Sequence, residues 1–445
     1  MWNASIDRRP ALIARCSGVV DVVRAIGFAR DHDLLLAVRG GGHNVAGHGT
    51  CDGGIVIDLS SMRGISVDLA RRTIRVEAGA TWRDVDHESQ AFGLATTGGL
   101  VSTTGIAGLT LGGGFGWLMR RHGLACDNLI SAEAVTAGGR IVRASDEENE
   151  DLFWGLRGGG GNFGIVTAFE YRLHPVGPIV AAGAVFFRAE EAADVLRFYR
   201  DWAAEAPDEL TTVVTLGTAG AAPFLPPELH GRKVAIVSGL YTGDPEVGME
   251  ALGPLRELPS AVADITGPMP YLAMQTLVDG QWEPGAHNYF RSGFLRGLED
   301  GAIRALLDSM ERCGSPDSKI QIYQLGGAVA RVATDATAFG PRDASYLLNV
   351  AARWKDPAES RIHEAWANQA DGELRRFVTG RVYINFLGEE GHDRVRDAYG
   401  ADTYPRLVEL KDRYDPTNLF RVNQNIRPSP GDPFRFPATP RGWLQ

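Results

Sequence analysis

The sequence predicts an α+β protein of two domains, the second of which is built on an antiparallel sheet backed by helices. Three observations lead to this prediction. The chain has 445 residues, whereas a single domain usually takes about 100–200. Glycine runs and short strand-like segments occupy residues 1–175, and longer alternating strands with helices occupy residues 176–390. Strands and helices do not alternate regularly along the chain, so a Rossmann fold is not expected.

The amino-terminal region is predicted to contain two helices and several short strands. Apolar residues recur at helical spacing from Val19 to Ala29, and Ser17 is placed to cap this first helix. Thr81 is placed to cap the second helix, with Asp84 in its first turn and Gly93 just past its end. Apolar and β-branched runs predict strands at 34–38, 55–59, 65–67, 73–77 and 165–173.

The middle of the chain is predicted to form a sheet with helices on its back. Alternating apolar and polar residues predict strands at 213–216, 233–240, 286–295, 319–325, 346–353 and 380–387. Helical spacing predicts helices at 189–205, 301–313 and 359–377. Two short helices and a proline-rich coil from Pro428 are expected in the last segment, residues 391–445.

The composition excludes several classes of function. The net charge is −10, from 45 basic and 55 acidic residues, so neither nucleic acid nor an anionic membrane is an expected partner. No stretch reaches the ~20 apolar residues of a membrane helix, and the first residues lack a signal-peptide core, so a cytoplasmic protein is expected. The four cysteines do not have zinc-ligand spacing, and no metal site is predicted. Motifs of serine hydrolases, zinc proteases and P-loop enzymes are also absent.

Three glycine clusters, at 39–44, 111–116 and 157–164, are the most unusual feature of the sequence. Glycine permits positive φ and close backbone approach to a ligand, and successive N–H groups in such loops form anion sites. One cluster alone would be interpreted as a tight turn, but three together favour contact with a phosphate or a cofactor. Gly159, Gly161 and Gly164 match G-x-G-x-x-G, yet they precede a strand instead of opening a helix, so we do not interpret them as a dinucleotide motif.

His43 and Cys126 are the candidate reactive residues. His43 ends the first glycine run, and a histidine in that position is as consistent with function as with a structural role. Cys126 taken alone is typical of a small buried hydrophobic residue.

Together these segments resemble the berberine-bridge-enzyme-like branch of the vanillyl-alcohol-oxidase flavoproteins. The resemblance runs from Asp7 to about Pro428. It is carried by R-G-G-G-H-N at 39–44, G-L-T-L-G-G-G-F-G at 108–116, G-L-A-C-D-N at 123–128, L-F-W-G-L-R-G-G-G-G-N-F-G at 152–164, Y-I-N-F at 383–386 and D-P-T-N-L-F-R-V-N-Q-N-I at 415–426. So many ordered matches exclude coincidence.

The resemblance implies a PCMH-type FAD-binding fold. Residues 1–175 would form the FAD domain, residues 176–390 the substrate domain, and residues 391–445 a segment that returns to the FAD domain. The FAD would be bicovalent, with His43 bonded to the 8-methyl carbon of the flavin ring and Cys126 bonded to C6. The other residues that the resemblance assigns to FAD binding are Arg39, Gly40, Gly41, Gly42, Asn44, Gly98, Gly105, Gly108, Gly112, Gly113, Gly114, Phe115, Gly116, Asn128, Gly164, Ile165, Val166, Tyr383, Asn385, Asn423 and Asn425.

The activity implied is that of an oxidase in secondary metabolism. Hydride would pass from a substrate CH–OH carbon to flavin N5, and dioxygen would reoxidise the flavin to give hydrogen peroxide. The small-molecule substrate would be a secondary metabolite or a sugar. An oxidative cyclase or desaturase, and a flavin-binding protein without turnover, remain as alternatives. The oligomeric state, the substrate and the true electron acceptor do not follow from the sequence.

The catalytic base is where the chain departs from the family pattern. Relatives often have Y-x-N-Y, whose last tyrosine is the base, whereas this chain has Phe386 there. We expect Tyr383 to replace it, with Tyr323 as the second candidate. By strand periodicity Gln321 shares a face with Tyr323, and Asn385 shares a face with Tyr383. An aromatic substrate wall is also expected, formed by Tyr271, Trp282, His287 and Tyr289.

Overall fold

The computed structural model describes residues 1–430, which form four sheets and a set of packed helices. The strands are β1 (Leu12–Arg15), β2 (Leu36–Arg39), β3 (Ile55–Asp58), β4 (Ile65–Asp68), β5 (Thr73–Glu77), β6 (Leu94–Ala95), β7 (Leu129–Val135), β8 (Ile141–Ser145), β9 (Ile165–Arg172), β10 (His174–Pro175), β11 (Ile179–Arg188), β12 (Leu210–Thr218), β13 (Lys233–Tyr241), β14 (Ala261–Asp264), β15 (Gly267–Pro270), β16 (His287–Leu295), β17 (Lys319–Gln324) and β18 (Tyr346–Trp354). The helices are α1 (Val19–Asp31), α2 (Trp82–Gln90), α3 (Ile106–Leu111), α4 (Met119–His122), α5 (Glu150–Leu156), α6 (Ala192–Ala204), α7 (Pro245–Arg256), α8 (Tyr271–Thr276), α9 (Asp300–Glu311), α10 (Ala328–Arg331), α11 (Ser360–Leu374) and α12 (His392–Tyr414).

Two sheets organise the amino-terminal part. Strands β1 and β2 both pair in parallel with β3, while β4-β5-β9-β7-β8 form an antiparallel five-stranded sheet. Helix α2 has the expected cap, in which the Thr81 and Asp84 side chains satisfy each other's backbone N–H groups. Helix α1 begins one residue later than expected. Gly18 is its N-cap, because the Ser17 N–H and hydroxyl both donate to the Asp21 carboxylate.

The large antiparallel sheet has the strand order β14-β11-β13-β12-β17-β18-β16, with β15 also paired to β11. Helices α6, α9 and α11 cover one of its faces and enclose a core of buried side chains from both layers. The residues of its opposite face lie against the glycine-rich part of the chain, as the mixed core around Phe115, Tyr323 and Tyr383 shows. This face of the sheet positions the candidate site.

The predicted strand at 380–387 is wrong. The segment is a single 3-10 turn, Ile384–Phe386, in which the Phe386 N–H donates to the Tyr383 carbonyl oxygen. Gly380 has a φ of 86°, and only Val378 makes an isolated bridge to β16. A run of apolar residues here therefore forms a turn that enters the core. The elements that were not predicted are β1, β6, β7, β8, β10, β11, β14, β15, α3, α4, α5, α7, α8 and α10.

The carboxyl-terminal segment packs into the amino-terminal core. Helix α12 breaks at Gly400, which has a φ of 76°, so it consists of two helical pieces, as predicted. The ammonium group of Lys411 is fully buried and bonds to the Asp415 carboxylate at 2.7 Å and to the carbonyl oxygens of Asn162 and Phe420. These bonds tie the returning segment to the third glycine cluster. The proline-rich coil expected after Pro428 lies almost wholly outside the described residues.

No helix in residues 1–430 is both long enough and apolar enough to cross a bilayer.

Candidate active site

A cavity of about 360 Å³ lies between the glycine loops and the large sheet. One end is lined by the first glycine cluster, by residues around α3 and by the third glycine cluster. The other end is lined by side chains of β12, β17 and β18. The residues lining it that were predicted to bind FAD or to act in catalysis are Gly40, Gly41, Gly42, His43, Asn44, Gly105, Gly108, Phe115, Gly164, Ile165, Val166, Tyr323, Tyr383, Asn385 and Asn423.

Other predicted residues do not line this cavity. They are Arg39, Gly98, Gly112, Gly113, Gly114, Gly116, Cys126, Asn128 and Asn425. Several of these glycines permit close packing instead: a Cβ on Gly116 would lie 1.7 Å from the Gly98 carbonyl oxygen. The Asn128 amide donates to the carbonyl oxygens of His122 and Leu124, and its Oδ1 bonds to His174.

The glycine end of the cavity is a backbone cradle. A Cβ placed on Gly41 would lie 2.4 Å from the Gly105 nitrogen, and a Cβ on Gly105 would lie 2.4 Å from the Gly41 nitrogen. The two loops therefore touch backbone to backbone, which only glycine permits at these positions. Asn423 also lines this cavity, and its Oδ1 is buried without a hydrogen-bond partner in residues 1–430. A buried acceptor of this kind is expected to accept a hydrogen bond from a bound molecule.

His43 lies where the cradle meets the aromatic residues of the cavity. Its ring stacks on Trp2, with a centroid separation of 4.8 Å, and its Nε2 lies 3.2 Å from Thr103 Oγ1. Burial, and secondarily the charge of Arg353, lowers the His43 pKa to about 4. The imidazole is therefore neutral at physiological pH, which is the nucleophilic form.

Cys126 lies behind the cavity wall. Its N–H donates to the Gly113 carbonyl oxygen, and its side chain is fully buried. Burial, and secondarily the Asp127 carboxylate, raises the pKa of the thiol well above its ordinary value. Asp127 is itself held by two 2.7 Å bonds to the Arg342 guanidinium. The thiolate, which is the reactive form of cysteine, is strongly disfavoured in these surroundings.

The two tyrosines that line the cavity differ in their hydrogen bonds. The Tyr383 oxygen accepts a bond from the Gly114 N–H at 3.1 Å and another from Asn385 Nδ2 at 2.8 Å. The Tyr323 hydroxyl instead donates to Gln321 Oε1 at 2.9 Å. Burial raises both pKa values. The bonds from Asn385 and Gly114 act in the opposite direction on Tyr383, and a side-chain bond from Asn349 does so on Tyr323. Tyr383 and Asn385 meet through the 3-10 turn, although the strand that was expected to pair them is absent.

The predicted aromatic wall is wrong in three of its four residues, since only Trp282 lines the cavity. Tyr271 is fully buried under α2, His287 stacks on Trp354, and the Tyr289 hydroxyl donates to Asn368. Sequence reasoning missed Trp2, Thr215, Phe290 and Asn349, which do line it. Asn349 had a signal in the sequence, because it is a lone polar residue among apolar ones in the strand Y-L-L-N-V-A-A.

Comparison with known proteins identifies the relatives of this chain. Residues 10–145 match the family model for an FAD binding domain, and residues 382–427 match the model described as berberine and berberine like. An FAD-linked oxidoreductase of Dictyostelium discoideum is 32% identical over 96% of this chain and 91% of its own. The (R)-6-hydroxynicotine oxidase of Paenarthrobacter nicotinovorans is 31% identical over 96% of this chain and 93% of its own.

Solved structures share the same architecture. The crystal structure of 6-hydroxy-D-nicotine oxidase from Arthrobacter nicotinovorans superposes with a TM-score of 0.85 at 29% identity, covering 96% of this chain and 94% of that one. A chitooligosaccharide oxidase superposes with a TM-score of 0.83 at 23% identity, again over 96% and 94% of the two chains. The second likeness concerns the fold alone.

Proposed function

The chain belongs to the berberine-bridge-enzyme-like FAD-linked oxidases of the vanillyl-alcohol-oxidase flavoproteins, and from this premise we propose that it oxidises a CH–OH carbon of a small neutral metabolite or sugar. When bound, FAD supplies a two-electron acceptor that takes a hydride from the substrate carbon and passes both electrons to dioxygen, giving hydrogen peroxide. The observation that carries the proposal is that the glycine cradle, a neutral histidine and a tyrosine whose oxygen accepts two hydrogen bonds all line one cavity.

The residues of the cradle fit FAD. The Gly41 and Gly105 backbones meet directly in the cavity lining, and the unpartnered Asn423 Oδ1 offers an acceptor in the same lining. Glycine-rich backbone of this kind suits a pyrophosphate.

We propose a single covalent bond to the cofactor, through His43. The neutral imidazole lines the cavity and is the nucleophile that such a bond requires. The placement of Cys126 does not support the second bond that the resemblance implies, since the thiol lies outside the cavity lining with a raised pKa. We assign Cys126 a packing role beside the pair of Asp127 and Arg342.

We propose that Tyr383, in its deprotonated form, takes the substrate hydroxyl proton as the hydride leaves. The Gly114 N–H and the Asn385 amide both donate to its oxygen, so both would stabilise the tyrosinate that must form before it can accept this proton. Tyr323 is less suited, because its own hydroxyl proton is directed to Gln321. Phe386 lines the same cavity and has no proton to exchange.

A second candidate reaction, the oxidation of a CH–NH carbon, is favoured by the charge of the cavity. No Asp, Glu, Lys or Arg is found among the described residues that line it. A neutral amine can lose a hydride with the help of its nitrogen lone pair, without prior loss of a proton to a base. An uncharged cavity would also select the neutral amine over its ammonium form.

The first experiment measures flavin that stays on the denatured protein, by intact mass and visible absorbance, in the wild type, His43→Ala and Cys126→Ala. We expect the wild type and Cys126→Ala to retain flavin and His43→Ala to release it. Retention by both single variants, with loss only in the double variant, would restore the two-bond assignment. Release from the wild type would overturn covalent attachment altogether.

The second experiment mixes the holoenzyme anaerobically with panels of alcohols and amines and follows flavin bleaching, then admits air and measures peroxide. Bleaching by alcohols with peroxide release supports the main proposal, and bleaching by amines alone supports the second reaction. A carbon–carbon bond or a new double bond in the product would indicate a cyclase or desaturase. A flavin that no compound bleaches would contradict an enzymatic role.

A further inference from the structure

Three uncharged polar side chains form a row across the large sheet at the end of the cavity away from the glycine cradle. Thr215 on β12 lies directly opposite Gln321 on β17, which lies directly opposite Asn349 on β18. Directly opposed residues of neighbouring strands project to the same face of a sheet, and all three line the cavity. The row therefore presents one hydroxyl and two amide groups to whatever occupies this end.

Asn349 has an unused acceptor. The residue is 1% exposed, and its Oδ1 has no hydrogen-bond partner anywhere in residues 1–430. The corresponding oxygen of Gln321 is occupied, because it accepts the bond from Tyr323. A buried polar atom without a partner is costly and calls for a specific explanation, and a donor on a bound molecule provides one.

Charge is excluded from the surface of this cavity. Lys319 lies two residues before Gln321 on the same face of β17, but it does not line the cavity. Its ammonium group donates to Gln281 Oε1 at 2.8 Å and lies 4.7 Å from the centre of the Trp282 ring. A charged group on a ligand would therefore lose its hydration without gaining a direct counter-ion at the cavity surface.

We infer that Asn349 determines specificity by accepting a hydrogen bond from an N–H or O–H group of a neutral substrate. The apolar body of that substrate would lie against Trp282, Phe290 and Phe386, which line the same cavity. This inference rests on the proposed function, because it takes this end of the cavity as the substrate site. It adds the chemical class of the substrate, an uncharged molecule with an apolar body and a hydrogen-bond donor.

The test compares three ligands of similar shape by isothermal titration calorimetry on the purified holoenzyme. Benzamide is neutral with an N–H donor, methyl benzoate is neutral without one, and benzoate is charged. We expect the wild type to bind benzamide about tenfold more tightly than methyl benzoate, in keeping with one hydrogen bond to a buried group, and benzoate most weakly. Asn349→Leu, which is similar in size, should bind benzamide and methyl benzoate equally.

Ser292→Ala is the matched control. Ser292 continues the row opposite Asn349 on β16 and is mostly buried, but it does not line the cavity, so its variant should keep the preference for benzamide. The inference is overturned if Asn349→Leu keeps that preference, if benzoate binds most tightly, or if none of the three ligands binds. Flavin absorbance of the same samples separates this inference from the proposed function. A wild type without flavin would contradict the proposed oxidase activity, whereas the titrations decide the role of Asn349.

Discussion

At the scale of single residues, the partners of a side chain decide its chemistry more than its identity does. Tyr383 and Tyr323 are both buried and both line the cavity, so their positions alone do not separate them. The Tyr383 oxygen only accepts hydrogen bonds from the described residues around it, whereas the Tyr323 hydroxyl donates one to Gln321. A group that receives bonds from two fixed donors is prepared to hold negative charge.

Replacement of these tyrosines tests the difference. We expect Tyr383→Phe to lower kcat by about 10²–10⁴-fold, the usual contribution of a positioned base, with covalent flavin unchanged. Tyr323→Phe should lower kcat much less, by about tenfold, since it removes only neutral hydrogen bonds, those with Gln321 and Asn349. Steady-state kinetics with the best alcohol substrate provide the measurement, and equal losses in the two variants would contradict the assignment of Tyr383.

At the scale of elements, the cradle depends on the approach of two loops. One follows β2 and contains Gly41, and the other precedes α3 and ends at Gly105. Their backbones are so close that a Cβ on either residue would lie 2.4 Å from the other's nitrogen. Neither glycine has a positive φ, so it is the approach of the loops, and not the local conformation, that requires glycine here.

Gly105→Ala is expected to separate the two loops. Overpacking of this kind costs about 1–3 kcal/mol of unfolding free energy, and the displaced loop should also reduce the flavin content of the purified protein. Gly27→Ala on α1 is the control, because a Cβ there meets nothing within 4 Å and alanine favours a helix by about 1 kcal/mol. Chemical denaturation and flavin absorbance measure both effects. Full flavin content and unchanged stability in Gly105→Ala would contradict the proposed cradle.

At the scale of the whole molecule, a buried acid joins α2 to α8. Asp86 on α2 accepts a 2.8 Å bond from Gln275 on α8, and its other oxygen has no partner among residues 1–430. Burial raises the Asp86 pKa to about 7, and the bond from Gln275 opposes this only in part. The folded protein therefore holds this carboxyl in its protonated form in mildly acidic solution.

This acid makes stability depend on pH. Because the Asp86 pKa is higher in the folded state, the protonated carboxyl stabilises the folded protein fully when the pH is below the unfolded-state pKa, near 4. That stabilisation is lost as the pH rises through the folded-state pKa of about 7. The loss is on the order of 4 kcal/mol. Asp86→Asn should therefore raise the melting temperature above that of the wild type at pH 8 and leave it similar at pH 4. Glu88→Gln, an exposed change on the same helix, should have no effect at either pH. If the melting temperature of Asp86→Asn differed between pH 4 and pH 8 by as much as that of the wild type, this account would be contradicted.

Local sequence patterns determined many of the helices and strands and the expectation of a cofactor contact at the glycine clusters. The capping residues of α2, the alternation in β13, β16, β17 and β18 and the glycine clusters all act over a few residues, so they can be recognised without the fold. His43 at the end of a glycine loop was found in the same way. The family resemblance then identified FAD, because its motifs are contiguous.

Only the tertiary structure decided which side chains meet. Cys126 belongs to a recognised motif, but its distance from the cavity depends on the packing of Gly113 and of the Asp127–Arg342 pair, whose members are 215 residues apart. Likewise, Thr215, Gln321 and Asn349 form a row only through the register of three strands from distant parts of the chain. Register and burial are set by contacts between remote segments, and a pattern read along the chain contains no information about which segments will be neighbours.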